Sequence, residues 1–148
     1  MSTLVIYYSF GGACKKEAER IARETGADVI RVKEVEKRSV ANSLARGCPD
    51  AIRRRASALQ PVYADLSQYD HFIVGAPIWA GHPAPAFNAI VNLLPAGAEI
   101  ECFFCSAGGS VQKSEAQTRQ LLQERGFKLT GVRNIRTLVG IRKDSSLD

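Results

Sequence analysis

A chain of 148 residues can bury a sizeable core without a metal or disulfide staple, and 45% apolar against 24% charged residues excludes a disordered or fibrous class. No apolar run approaches the roughly 20 residues of a membrane-spanning helix, and Met1-Ser2-Thr3 enters Leu4-Val5-Ile6-Tyr7-Tyr8 without the basic leader of a signal peptide; the expectation is a single cytoplasmic domain over residues 1–148 with no membrane partner. The net charge of +5 belongs to residues 31–60, where eight basic side chains (Arg31, Lys33, Lys37, Arg38, Arg46, Arg53, Arg54, Arg55) face three acids (Glu34, Glu36, Asp50), so one local patch would steer an acidic partner.

The run at 4–8 is continuously apolar, as a parallel strand covered on both faces requires. From 13 to 25 the spacing of Ala18, Ile21, Ala22 and Thr25 predicts a helix that Gly26 ends. Residues 28–32 alternate weakly and predict a more peripheral strand. Between 34 and 68 two further helices are expected, over 39–46 and 49–59, with Pro49 in a first turn, Ile52, Ala56 and Leu59 on one face, and Pro61 as the stop. A polar approach at 65–70 leads into a strand at 71–75. Pro83 or Pro85 starts a helix that buries Phe87, Ile90, Val91 and Leu94 before Pro95 and Gly97 end it. Residues 100–105 predict another core strand, 111–125 a helix closed by Gly126, and 128–138 a last strand interrupted near Gly131. This alternation of strands and helices predicts a parallel sheet with right-handed crossovers.

Three strands run directly into turns of small residues: Ser9-Phe10-Gly11-Gly12-Ala13-Cys14, Gly75-Ala76-Pro77-Ile78-Trp79-Ala80-Gly81 and Ser106-Ala107-Gly108-Gly109-Ser110. In an open parallel sheet such loops converge on one crevice at the carboxyl ends of the strands, where ligands bind. Small residues in all three, and the sole tryptophan in one, suit a flat phosphorylated cofactor.

The stretch Leu66-Ser67-Gln68-Tyr69-Asp70-His71-Phe72-Ile73-Val74-Gly75-Ala76-Pro77-Ile78-Trp79-Ala80-Gly81, with a proline-rich helix start after it, resembles the flavodoxin family and its FMN-dependent reductase relatives. The likeness extends over most of the chain. It implies an α/β, three-layer flavodoxin-like fold with a five-stranded parallel sheet of order 2-1-3-4-5, and FMN at the switch point between the first and third strands. By the same resemblance Ser9, Gly11, Gly12, Ala13 and Cys14 hold the phosphate. Pro77, Ile78, Trp79, Ala80, Gly81, Ser106, Ala107 and Gly108 meet the ring, Trp79 by stacking and Gly81 by letting the backbone approach the flavin's N5. The implied function is electron transfer or a small flavin-dependent reductase activity, with an acidic redox protein or NAD(P)H as partner. No residue stands out as an acid–base catalyst.

Two departures from the family's pattern matter. Gly11 and Cys14 stand where its phosphate turn has threonines, and each lost hydroxyl is a hydrogen bond to a charged group, worth about 1.5–3 kcal/mol. The alternative function is therefore a non-catalytic flavodoxin-like domain that has lost FMN. Residues 139–148 are too short and polar for the family's closing helix, so the fold is expected with that helix missing. The sheet face it would cover then falls to the 39–59 helices or to a second subunit, a homodimer.

The remaining motifs carry less. Cys14 to Arg20 has the C-x₅-R spacing of low-molecular-weight tyrosine phosphatases, but the intervening residues read as a helix and include two glutamates. A position near a helix start beside Lys15 and Lys16 predicts a lowered pKa for Cys14. Cys102 and Cys105, three apart on a strand, should face opposite sides, which argues against a redox pair or a zinc site, and all four cysteines are expected as free thiols. His71 reads as structural and His82 as a loop residue near the ring edge. Arg53, Arg54 and Arg55 fan over about 200° of a helix and accompany no nucleic-acid motif, so nucleic acid is not an expected partner.

Overall fold

The computed structural model describes residues 2–106 and 112–136. In chain order the elements are β1 (Thr3–Tyr7), α1 (Ala13–Thr25), β2 (Asp28–Arg31), α2 (Val40–Asn42), a π-helical turn at Ser43–Gly47, α3 (Cys48–Ile52), β3 (His71–Trp79), β4 (His82–Pro83), α4 (Pro85–Leu93), β5 (Glu99–Ser106), α5 (Gln112–Glu124) and β6 (Lys128–Arg136). The parallel strands stand in the order β2-β1-β3-β5-β6, and the two-residue β4 folds back antiparallel onto the end of β3. Leaving β4 aside, this is the predicted five-stranded 2-1-3-4-5 sheet.

Alternation along the strands divides the core into two layers. Leu4, Ile6, Phe72, Val74, Ile100, Cys102 and Phe104 face α3, α4 and α5, which contribute Ala51, Phe87, Ile90, Val91 and Leu122. Val5, Tyr7, Ile73, Phe103 and Cys105 face α1, which contributes Cys14, Ala18 and Ile21. Helix α1 has the predicted limits, because its apolar stripe has a clear period and glycines in the left-handed region stand at both ends, Gly12 at φ 90° and Gly26 at φ 73°.

The predicted 49–59 helix stops at Ile52. Arg54 turns left-handed at φ 56°, and its guanidinium donates to Thr118 Oγ1 at 2.8 Å and the Ser114 carbonyl at 3.1 Å on α5. The backbone beyond it finds partners elsewhere. Asn88 Nδ2 donates to the Arg55 carbonyl, Ser57 N–H to the Pro85 carbonyl, and residues 58–60 pair antiparallel with 33–35 through Val35 N–H to Ala58 O at 2.9 Å and Gln60 N–H to Lys33 O at 2.8 Å. Each bond satisfies a polar group that a longer helix would have satisfied internally. The three arginines therefore diverge instead of forming one basic stripe.

The 39–59 segment packs on the α4 side, with Ala51 fully buried there. The 39–59 helices are one of the two covers expected for a sheet face left open by a missing closing helix; the face they cover is this one, and the face beside α1 is without them. That face carries a polar ladder instead. His71 Nδ1 lies 3.0 Å from Glu99, His71 Nε2 is 3.9 Å from Glu101, and Arg133 reaches Glu101 at 3.9 Å and Glu17 of α1 at 3.8 Å. Charged side chains at this level need no apolar cover. Residues 137–148, the end of the predicted last strand and the polar tail, lie outside the described residues.

Gly75, at the centre of the sheet, is fixed by packing. A Cβ there would lie 2.0 Å from Cζ of Phe103, whose ring crosses it from the next strand. Gly75→Ala is expected to cost about 3 kcal/mol, the upper range for overpacking a core. A second change, Phe103→Leu, should recover part of that loss; denaturant unfolding of the two single variants and the double variant measures it.

Candidate functional site

The carboxyl ends of β1, β3 and β5 meet at one end of the sheet, where the chain leaves β1 through residues 8–12. Ser9 is buried, and its hydroxyl accepts from Gly12 N–H at 3.1 Å and Lys15 N–H at 3.3 Å. One side chain thus folds the turn against the start of α1. Gly12, at φ 90° and ψ −13°, holds a conformation that a side chain would strain. The N-cap residue Gly12 has no side chain to cap α1, and the first turn of the helix carries no acidic residue. Among the described residues, the Ala13 and Cys14 N–H groups donate to no protein acceptor. An open helix start with free amides has the donors and the dipole direction that suit an anion.

The Cys14 side chain does not share in that site. It is 1% exposed and packs in the layer of Val5, Ala18, Ile21 and Cys105. Burial, with Cys105 beside it, pushes the Cys14 pKa well up. The expectation that Lys15 and Lys16 would lower it is corrected: desolvation outweighs two exposed or half-buried cations on the solvent side. Cys102, buried on the opposite face, is pushed up to about 12 by desolvation, and the two cysteines of the C-x-x-C do face opposite layers. Arg20 pairs with Glu17 and Glu24 along its own helix, so the phosphatase-like spacing brings no guanidinium to Cys14.

At the second turn, Trp79, Ala80, Gly81 and His82 form a two-residue hairpin between β3 and β4 with φ of 51° at Ala80 and 80° at Gly81. Both central residues are left-handed, the geometry of a type I′ turn. Pro77 and Ile78 are half-buried and Ala80 is exposed. Trp79 differs from the stacking role expected of it. It is 2% exposed, with Phe10 and Tyr8 edge-on at 5.7 and 6.2 Å between ring centroids and the Arg38 guanidinium 5.5 Å over the ring. Gly47 lies so close that a Cβ would come within 2.7 Å of the indole. The indole Nε1–H is buried without an acceptor among the described residues. Ser106 is half-buried at the end of β5, whereas Ala107 and Gly108 of the third turn lie outside the described residues.

Two cavities open here. One of about 20 Å³ lies within the first turn, between Ser9, Gly11, Cys14, Pro77, Trp79 and Cys105. Another of about 250 Å³ lies beside it, between Tyr8, Phe10, Arg31, Lys33, Lys37 and Gln60. Its inner wall is a buried polar cluster in which Tyr8 Oη donates to Glu34 at 2.7 Å, Arg38 Nε bonds both Glu34 oxygens at 2.9 and 3.1 Å, and Arg38 Nη1 bonds Asn42 at 2.9 Å. The Arg31 guanidinium reaches the Ser9 carbonyl at 3.3 Å, backing the turn with a cation.

A flavoprotein of Lactobacillus acidophilus NCFM, crystallised in complex with FMN, superposes on this chain with a TM-score of 0.76 and 26% identity, over 90% of this chain and 92% of its own. The apo-form of the flavoprotein from the same organism, determined by NMR, gives 0.69 and 24% over 92% and 93%. A protein of Bacteroides eggerthii DSM 20697, provisionally named a flavoprotein, gives 0.77 and 19% over 92% and 89%. The chain has the flavodoxin-like fold. No protein-family profile and no curated protein sequence matches it. In this flavodoxin-like chain the first two predicted turns converge as expected. The Tyr8–Glu34 bond and the packing of Cys14 beside Cys105 have no local sequence signature, since each joins residues far apart in the chain, although Glu34 and Arg38 are only four residues apart.

The cover over Trp79 can be tested directly. Gly47 has helical φ and ψ, −61° and −44°, so alanine there meets only a steric obstacle. Gly47→Ala should push the segment off the indole. Because the chain has one tryptophan, a red shift of its fluorescence and faster quenching by acrylamide would register the opening.

Proposed function

We propose that this chain binds FMN at the β1–β3 switch point and works as a small flavin-dependent reductase, acting as one cytoplasmic domain. The observation that carries the reading is the open start of α1: a glycine turn folded by Ser9, with the Ala13 and Cys14 amides lacking acceptors. The FMN held by the Lactobacillus acidophilus flavoprotein of the same fold supports it. In this reading the Ala13 and Cys14 amides, with the Gly11 backbone beside them, hold the phosphate dianion, replacing through backbone donors what the missing threonine hydroxyls would give. Pro77, Ile78, the Ala80-Gly81 tip and Ser106 border the ring. Trp79 supports the ring site from beneath, as a buried wall. Bound FMN would supply the hydride and electron chemistry, and the protein its position and polarity.

Reductase is preferred over protein-docking carrier because of the 250 Å³ cavity beside the turn. Arg31, Lys33 and Lys37 outnumber Glu36 around it, a net cationic rim that favours an anionic small molecule such as NAD(P)H. A homodimer is the weaker reading, because the ladder from His71 to Arg133 offers a second subunit charged rather than apolar surface.

FMN fluorescence titration tests the cofactor. Quenching with a micromolar dissociation constant is expected, and Gly12→Val should weaken it at least tenfold by straining the turn and crowding its amides. Absence of quenching at 100 µM-scale FMN, about a hundredfold above the expected constant, would favour the second reading, a fold that has lost the cofactor. The inward Cys14 thiol and the covered Trp79 ring are the observations on that side. With FMN bound, NADPH oxidation with a quinone acceptor should follow. Lys33→Glu with Lys37→Glu should raise the KM for NADPH about tenfold, the effect of losing roughly 1.4 kcal/mol of binding, with little change in kcat; an unchanged KM would remove the nicotinamide from this cavity.

A further inference from the structure

Cys14 is the second residue of α1 and Cys105 the penultimate residue of β5. Both are buried beneath the first turn, in one core layer with Val5, Tyr7, Ala18, Ile21, Ile73 and Phe103. Both also line the 20 Å³ cavity that opens between Ser9, Gly11 and Pro77. A space of that size takes one molecule about as large as water and excludes bulky disulfides and protein thiols. The other two cysteines are elsewhere: Cys48 and Cys102 belong to the opposite core layer. Two buried thiols of one core layer that line the same water-sized cavity form a site for a small, uncharged oxidant.

We propose that Cys14 and Cys105 are a dithiol that hydrogen peroxide oxidises to an internal disulfide joining the first turn of α1 to the end of β5. The Cys14 thiolate attacks one peroxide oxygen. An S–O bond forms, the O–O bond breaks, and the departing hydroxide takes up a proton as water, leaving a sulfenic acid. The Cys105 sulfur then attacks the Cys14 sulfur. The S–S bond forms, the S–O bond breaks, and a second water leaves with the proton of the Cys105 thiol. Two thiols lose two electrons and one peroxide gains them. Burial keeps the Cys14 thiol protonated at neutral pH. The pair therefore reacts slowly near pH 7. The rate should rise about tenfold per pH unit from 7 to 9, as the thiolate fraction does. The cavity lies within the turn that would hold the FMN phosphate, so the dithiol is assigned to the protein free of FMN, and added FMN should slow the oxidation.

The full-length protein, reduced and then treated with hydrogen peroxide at pH 8.5 or so, about the ordinary thiol pKa, is alkylated under denaturing conditions and weighed. Two of the four thiols should resist alkylation, with a mass decrease of about 2 Da before alkylation. Proteolysis should yield a linked peptide pair carrying Cys14 and Cys105, and dithiothreitol should reverse the change. In Cys105→Ser the bridge is lost and Cys14 accumulates as a dimedone-reactive sulfenic acid; Cys14→Ser forms neither. Four alkylatable thiols after peroxide, a bridge to Cys48 or Cys102, or overoxidation to sulfinic acid without a bridge would overturn the proposal.

Discussion

Trp79 leaves the end of β3 toward the helical turns at 38–48, and the ligand end of the molecule is arranged around its ring. Phe10 and Tyr8, the first residues beyond β1, press their edges against it, and Arg38 and Gly47 close it from the other side. Each aromatic pair contributes about 0.5–1.5 kcal/mol beyond the area it buries, and the guanidinium a similar amount. These contacts fix where the chain leaves β1, and hence where Ser9 begins the turn that starts α1. The same contacts hold down a segment with little regular structure of its own: a three-residue helix, a π turn and a five-residue helix.

Holding a charge over the indole has an electrostatic requirement. The side chains of Arg38 and Glu34 are only 11% and 5% exposed, and a buried pair of that kind is favourable only when its remaining hydrogen-bonding positions are filled. Tyr8 and Asn42 fill them. The cluster belongs equally to the wall of the larger cavity, so a single polar network sets both the cover of Trp79 and the inner surface a second ligand would meet. The two cavities are mechanically linked through Tyr8 and Phe10, which touch the tryptophan and line the larger one.

How much of this was legible in the sequence depended on distance along the chain. Helix α1 could be bounded to the residue because its stripe and both glycine ends lie within a short window. The irregularity expected near Gly131 is there, as a bulge at Thr130 where Ile100 pairs with Leu129 and Glu101 with Gly131. Strand β3 runs four residues further than its local pattern indicates, because Ala80-Gly81 makes a type I′ turn without the usual asparagine or aspartate. The 49–59 helix was suggested by Ile52, Ala56 and Leu59, yet Ile52 is 52% exposed and Leu59 bridges to Glu34; long-range hydrogen bonds overrode a local period. Of the site, the first turn was readable because backbone geometry demanded its glycines. The orientation of Trp79 and the neighbour of Cys14 were not, since both depend on residues brought in from other strands and loops.

The bulge at Thr130 also bears on how copies of the chain behave toward each other. β6 is an outer strand of the sheet, and a long flat outer strand is a template on which another chain can add its own. Here the extra residue breaks the flat run early, its hydroxyl turning back to the Ile100 carbonyl at 3.3 Å, and Lys128, Arg133 and Arg136 stand exposed along the strand. At the other border β2 is four residues long, too short to seed an addition. Among the described residues, both borders of the sheet thus carry features that oppose strand addition by another chain.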